Sequence, residues 1–221
     1  MWKIFWEYPL TAYVTIFITF FYFFVVFFVS SSSINQYFLS YPGRFHPLNW
    51  ILSTFFHGSI EHLLSNMVFL YFLGRVAEAR VGKVKWLLFY FMAGFISAAS
   101  DSVVRGYVFR EDMAPAVGAS GAISGIAAVA ALLSPFTFRV KNYNIPFPVF
   151  AVAWTMLYSD FIYLFSSDRV AHWAHLAGFF SVFITAYLLN DRDREELKNG
   201  FLLNFVFFIL TVILLFFLNN R

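Results

Sequence analysis

The stretch VGASGAISG, residues Val117 to Gly125, begins a long apolar run and carries the pattern on which the fold prediction rests. Its small residues recur at a spacing of four: Gly118 with Ala122, Ser120 with Ser124, and Gly121 with Gly125. Such pairs share one helix face and let two membrane helices approach closely. A serine at the start of the helix would also meet free backbone N–H groups and the positive end of the helix dipole, which can stabilise an anion. Ser120 is therefore a packing residue or a nucleophile.

The composition around this stretch is that of a membrane protein. Of the 221 residues, 61% are hydrophobic and only 12% are charged, whereas soluble domains carry about 25% charged residues. The net charge is +3 and the basic residues are scattered, so we expect no nucleic-acid partner. The chain has no cysteine, which excludes disulfides and thiolate chemistry.

The apolar residues are grouped into seven segments that could each cross the roughly 30 Å of bilayer hydrocarbon. The predicted spans lie near 9–30, 60–76, 84–100, 117–134, 147–166, 170–189 and 200–219. We interpret the first as a retained span and not as a cleaved signal sequence. Residues 31–58 contain many turn residues and aromatics, so we expect this connection to lie at the membrane interface. The predicted fold class is an all-α membrane protein.

The distribution of cationic residues predicts the orientation. With the N-terminus in the cytoplasm, the inner side receives Lys3, Arg75, Arg80, Lys83, Lys85, Arg139, Lys141, Arg192, Arg194 and Lys198. The outer side receives Arg44, Arg105, Arg110, Arg169 and Arg221. The positive-inside rule therefore favours a multi-pass protein with its N-terminus cytoplasmic and its C-terminus outside, and we expect the inner (plasma) membrane of a prokaryote. The charged segment NDRDREELKNG is predicted to be a cytoplasmic linker before the seventh span.

In this topology the second, fourth and sixth spans all begin at the outer face, and their first turns hold the polar residues. The second span begins with His57, His62 and Asn66, which could be structural hydrogen-bonding residues or donors to an oxyanion. The sixth begins with His172 and His175. Ionisable residues within spans suggest function, although a histidine near the interface could simply bond a loop carbonyl.

Ser120 and His175 have similar offsets from the starts of their spans, so they could form a nucleophile–base pair if the two helices touch. The small residues of the fourth span and of HLAG in the sixth would permit that contact. Asp160, near the outer end of the fifth span, is at similar depth; we expect it to be an interfacial residue, with a third catalytic member as the alternative. The predicted arrangement is a Ser–His dyad whose histidine is oriented by packing.

Four motifs in this order resemble the rhomboid family of intramembrane serine proteases. They are HGSIEHLLSN in the second span, the Glu-x-Arg of GRVAEARVG at its inner end, GASG in the fourth span and AHLAG in the sixth. The resemblance covers residues 57–185. It implies a six-helix core, here residues 1–190, to which residues 191–221 add a linker and a seventh transmembrane helix.

The resemblance also implies roles for individual residues. Ser120 would be the nucleophile and His175 the general base and acid, and His62 and Asn66 would form the oxyanion hole with the Ser120 backbone N–H. Gly118, Gly121, Gly178 and His57 would shape the site, and Glu78 and Arg80 would form a structural pair. The chain differs from many members at Ser124, where an aromatic often stacks on the catalytic histidine, at Val182, where a glycine is common, and in its first loop.

The predicted reaction is hydrolysis of a peptide bond in a single-span membrane protein, near the outer face of the bilayer. No metal or cofactor is expected, since the sequence shows no ligand spacing typical of a metal site. Residues 101–116 are a candidate cap over the site. The alternatives are a non-catalytic rhomboid-like factor that binds membrane proteins, whose known relatives lack the serine or the histidine, and a small transporter, which would need a polar path through the bundle.

Overall fold

The computed structural model describes residues 7–110, 114–140, 143–166 and 170–219. Lys3, Lys141, Arg169 and Arg221, which contributed to the orientation prediction, lie outside these described residues, as does the middle of the 101–116 connection. The helices are α1 (Pro9–Phe28), α2 (Pro47–Leu52), α3 (Ile60–Val103), α4 (Ser120–Leu133), α5 (Val149–Ile162), α6 (His172–Thr185) and α7 (Asp191–Asn219). Short helical turns lie at Ser31–Ser33, Ile34–Phe38, Ser53–Phe55, Val104–Val108 and Ala186–Leu188.

The predominantly helical prediction is confirmed, with one addition. Strands β1 (Thr137–Val140) and β2 (Tyr143–Pro146) form a short antiparallel hairpin between α4 and α5, in which Thr137 pairs with Pro146. Among the described residues, two helical segments could cross a membrane by length and composition, Pro9–Phe28 and Ile60–Val108. Ser120–Leu133 and Val149–Ile162 are shorter apolar helices.

The predicted second and third spans are the two arms of α3. Gly82 separates residues 60–81 from 83–103, with φ +75° and ψ 169°. This left-handed backbone region favours glycine, because a side chain would clash there. A single glycine therefore makes the turn that returns the chain across the bundle, without a separate loop.

Helix α4 lies at the centre of the fold. Its residues from Gly121 to Leu133 are all buried, and it packs against α3, α5, α6 and α7. A helix enclosed on every side is apolar throughout and does not show an amphipathic pattern. Its alanines and glycines allow this crowding, since small side chains let neighbouring backbones come close.

Residues 191–199, which the sequence predicts to be a linker, are helical and form the first turns of α7. The side chain of Asn190 accepts a hydrogen bond from the Asp193 N–H at 2.7 Å and so caps the helix. Further along, Asn204 lies beside α4 and α5: its amide donates to the Ala131 carbonyl, and its oxygen accepts from Trp154 Nε1 at 2.5 Å. Helix α7 is thus packed into the bundle.

Glu78 and Arg80 stabilise two different helix contacts. The Glu78 carboxylate accepts hydrogen bonds from the backbone N–H groups of Leu10 and Thr11, at 3.2 and 2.8 Å, and so caps the N-terminus of α1. Arg80 forms ion pairs with Asp193, at 3.5 Å, and with Glu196, both on α7. Both residues are structural, but each serves a different helix.

Candidate active site

Ser120 is the first residue of α4, and the backbone before it is held in an unusual conformation. Gly118 has φ +119°, which a residue with a side chain rarely adopts. A Cβ built there would lie 2.6 Å from Cε1 of His62, so the ring of His62 lies directly against this glycine. The Gly118 N–H donates to the Ser53 carbonyl at 2.9 Å. Gly118 therefore both permits the turn into α4 and makes room for His62.

Helices α4 and α6 touch through their backbones. A Cβ on Gly178 would collide with the carbonyl oxygen of Gly121, and a Cβ on Gly121 would collide with the Ser97 side chain of α3. This close approach brings Ser120 Oγ to 2.7 Å from Nε2 of His175. The two residues are 55 positions apart in the sequence, so the contact depends on the packing of the glycines.

The structure places the side chain of Asp160 inside the bundle. Asp160 is 7% exposed, and its Oδ1 lies 2.7 Å from Nδ1 of His175 and 2.8 Å from Nδ1 of His172. His175 is therefore held by a carboxylate and not by packing alone. The sequence shows a single aspartate in an apolar helix at the right depth, but it does not reveal which way α5 is rotated about its axis.

Asp160, His172 and His175 also carry donor types that metal ions bind. Their ligand atoms all lie within 4.8 Å of one another. The sequence did not reveal this cluster because the residues come from two helices without a typical ligand spacing. Both nitrogens lie at hydrogen-bond distance from the same carboxylate oxygen. The same distances are those of a hydrogen-bond network centred on the carboxylate.

The two residues predicted for the oxyanion hole are at the same end of the bundle as Ser120. His62 lies against Gly118, two residues before Ser120. Asn66 is buried one turn further along α3, and its Nδ2 donates to the His62 carbonyl at 2.8 Å. One amide hydrogen of Asn66 is thus used within α3.

His57 also contacts the backbone at the turn into α4. It precedes α3 in the chain and is 1% exposed. Burial, together with the neighbouring His62, lowers the pKa of His57 to about 3, so the ring is neutral. Its Nε2 accepts a hydrogen bond from the Ala119 N–H at 3.4 Å, and its ring packs edge-on against His62 with centroids 5.2 Å apart. His57 therefore shapes the backbone next to Ser120.

Two loop segments cover the Ser120 end of the bundle. Ser40 of the first loop pairs with Ala116 through two backbone hydrogen bonds of 3.0 and 2.8 Å. Phe109, just after the Val104–Val108 turn, packs edge-on against Phe165 and at a tilt against Trp173, with ring centroids 6.0 and 5.6 Å apart. The described part of the predicted cap therefore contacts the first loop and the start of α6.

Two of the three departures from the family pattern lie inside the bundle. Val182 is 1% exposed, so α6 is tightly packed at the position where a glycine is common. Ser124, in the place of the aromatic, is buried and lines a small cavity with Asp160 and His175. The small serine leaves space between α4 and α5 beside the ring of His175.

Comparison with known proteins identifies the family. The model of the Rhomboid domain matches residues 44–192. Three curated proteins of Arabidopsis thaliana are similar. RHOMBOID-like protein 12, mitochondrial, is 28% identical over 62% of this chain and 44% of its own length. RHOMBOID-like protein 1 is 32% identical over 66% of this chain and 36% of its own length, and RHOMBOID-like protein 7 is 30% identical over 66% of this chain and 45% of its own length. The chain spans less than half the length of these relatives. It belongs to the rhomboid family of integral membrane proteins.

Proposed function

We propose that this chain is a serine-type intramembrane endopeptidase. The observation that carries the proposal is the 2.7 Å contact between Ser120 Oγ and His175 Nε2, at the N-terminus of a buried helix. A serine hydroxyl is a weak nucleophile until an adjacent base removes its proton, and this contact supplies the base. The free N–H groups at the start of α4 add a positive potential where negative charge would develop.

The reaction would proceed in two stages. Ser120 attacks the carbonyl carbon of the substrate while Nε2 of His175 takes its proton, and His175 then gives that proton to the leaving amine. Water hydrolyses the resulting acyl-enzyme with His175 again acting as the base. His62, Asn66 and the Ser120 N–H are the proposed donors to the oxyanion. One hydrogen of the Asn66 amide is donated to the His62 carbonyl, and the second is the proposed donor to the oxyanion.

The proposed substrates are single-span membrane proteins whose helix unwinds easily near the outer face. A peptide bond inside an intact helix is shielded by its own hydrogen bonds, so the segment must become extended before Ser120 can reach it. The proposed orientation, with the N-terminus in the cytoplasm, puts the start of α4 at the outer face. It rests on the excess of cationic residues at the other end of the bundle.

We expect the purified protein to react covalently with a fluorophosphonate probe, which labels activated serines. Ser120→Ala should abolish labelling, because it removes the attacking oxygen. Ser181→Ala is the matched control, since Ser181 is buried and donates to the Gly178 carbonyl of its own helix; it should label like the wild type. A membrane-impermeant probe should label right-side-out vesicles and not inverted ones.

If the wild type is folded and does not label, the proposed protease function is wrong. That result would favour the alternative, a non-catalytic rhomboid-like factor that binds membrane proteins. Equal labelling of Ser120→Ala and the wild type would place the reactive serine elsewhere. Labelling of inverted vesicles alone would reverse the proposed orientation without affecting the chemistry.

Asn66→Ala is expected to slow labelling by about 10- to 100-fold, since it removes a proposed donor to the oxyanion. The helix should remain intact, because the amide that is lost caps only the His62 carbonyl. Ser65→Ala is a suitable control: Ser65 is the preceding residue, and its hydroxyl donates to the same carbonyl. Equal rates for Asn66→Ala and Ser65→Ala would remove Asn66 from the oxyanion hole.

A further inference from the structure

We propose that Asp160 is a positioning residue that converts the Ser120–His175 pair into a Ser–His–Asp relay across three helices. This inference rests on the proposed protease function and concerns how its base is oriented. The relay runs from Ser120 Oγ on α4, through both ring nitrogens of His175 on α6, to Asp160 Oδ1 on α5, with two contacts of 2.7 Å. A Ser–His dyad, which the sequence alone predicts, would leave Nδ1 of His175 without this acceptor.

The hydrogen bond to Asp160 determines which ring nitrogen of His175 carries the proton. A carboxylate accepts hydrogen bonds and does not donate them, so Nδ1 of His175 must be the protonated nitrogen. Nε2 of the neutral ring is then free to accept the Ser120 hydroxyl proton, which is the state that a general base requires. The opposite tautomer would direct an N–H towards Ser120 Oγ. Asp160 thus selects the productive form and opposes rotation of the ring.

His172 holds Asp160 in place. Its Nδ1 donates to the same Oδ1 at 2.8 Å, and its ring stacks on Tyr163 with centroids 6.2 Å apart. A buried carboxylate is costly unless donors surround it, and two charge-assisted hydrogen bonds reduce that cost. His172 therefore contributes to the relay without touching Ser120: it orients Asp160, which in turn orients His175.

The space for Asp160 comes from Ser124. This residue lies one turn after Ser120 on α4 and lines the cavity that Asp160 and His175 share. A bulky aromatic at this position would fill that cavity and would brace the ring of His175 by stacking. With serine there, α5 approaches closely enough for its carboxylate to bond Nδ1. The small side chain at position 124 and the carboxylate at position 160 therefore act together to orient His175.

The test compares Asp160→Asn with Asp193→Asn in the saturation kinetics of fluorophosphonate labelling. Asp193 is the matched control, because it is also buried and charge-paired but lies on α7, with Arg80 and Lys85. We expect Asp160→Asn to lower the limiting labelling rate by about 10²- to 10⁴-fold, since the amide no longer enforces the productive tautomer. The probe concentration for half-maximal rate should stay within twofold. Asp193→Asn should leave both parameters unchanged.

A second measurement reads the protonation of His175 in the wild type directly, and a variant serves only to assign the signal. In protein labelled with ¹⁵N-histidine, the His175 signal, identified by its loss in His175→Ala, should show a proton on Nδ1 and none on Nε2 at neutral pH. A proton on Nε2 would overturn the relay. So would Asp160→Asn protein that labels at the wild-type rate, whereas a wild type that does not label at all would reject the protease function itself.

Discussion

His175→Ala is expected to lower the rate of substrate cleavage by on the order of 10⁴- to 10⁶-fold, the range seen when the base of a serine hydrolase is removed. Nε2 of His175 lies 2.7 Å from Ser120 Oγ, so its loss leaves the hydroxyl protonated when it must attack. The same residue gives the proton to the leaving amine, so both stages of the reaction are affected. The measurement is cleavage of a single-span reporter protein in proteoliposomes, with fluorophosphonate labelling as a second readout.

His172→Ala is the informative control for this prediction, because the two histidines lie three residues apart on α6 and bond to the same oxygen. Removing His172 takes one of two donors from Asp160 and leaves the contact between His175 and Ser120 in place. We therefore expect this variant to lose less than about tenfold of its activity, far less than His175→Ala. Should His172→Ala prove inactive while His175→Ala remains active, the base has been assigned to the wrong turn of α6.

Gly178→Leu is expected to eliminate activity and to destabilise the protein. Any side chain at Gly178 meets the backbone of Gly121, which cannot move as a flexible side chain could. Overpacking of this kind costs about 1–3 kcal/mol, and more where the obstacle is rigid. Helices that separate by about 1 Å also take Ser120 away from His175, and such a misplacement can cost about 100-fold in rate. The measurements are the thermal unfolding midpoint in detergent and the labelling rate.

Smaller substitutions provide the matched comparison for this prediction. Gly178→Ala adds one methyl group against the Gly121 backbone, whereas at Gly58 a Cβ would meet only Val117 Cγ1, at an ordinary 3.8 Å. Gly178→Ala should lower both the midpoint and the labelling rate, and Gly58→Ala should lower neither. Similar behaviour of the two alanine variants would mean that α4 and α6 are not held together by this contact.

Much of the fold could be predicted from the sequence because hydrophobic runs and small-residue faces are local patterns. The family assignment from four motifs is confirmed by the match over residues 44–192. The first predicted span forms helix α1, and Glu78 of α3 caps its N-terminus. The contact between Ser120 and His175 was predicted from the offset of each residue from the start of its span, together with the assumption that the small-residue faces of these two helices meet. It did not require knowledge of any loop.

The features that the sequence did not reveal depend on how each helix is rotated about its axis and on contacts between residues that are far apart in the chain. Asp160 was expected at the interface, since the depth of a residue follows from its position in a span but the direction of its side chain depends on how neighbouring helices pack. The charged residues of NDRDREELKNG looked like a solvated turn. In the structure Arg80 and Lys85 on α3 pair with Asp193, so charge on these turns is matched by charge on another helix.

The contact between Gly121 and Gly178 has a consequence for how the site behaves in a fluid bilayer. The exterior is rich in exposed phenylalanines, such as Phe20, Phe27 and Phe28, whose rings can change rotamer as lipids move around them. Between α4 and α6 there is no side chain at the point of contact, and hence no rotatable bond to transmit such changes. The exposed side chains can therefore change conformation while the distance between α4 and α6 stays fixed by the contact between their backbones.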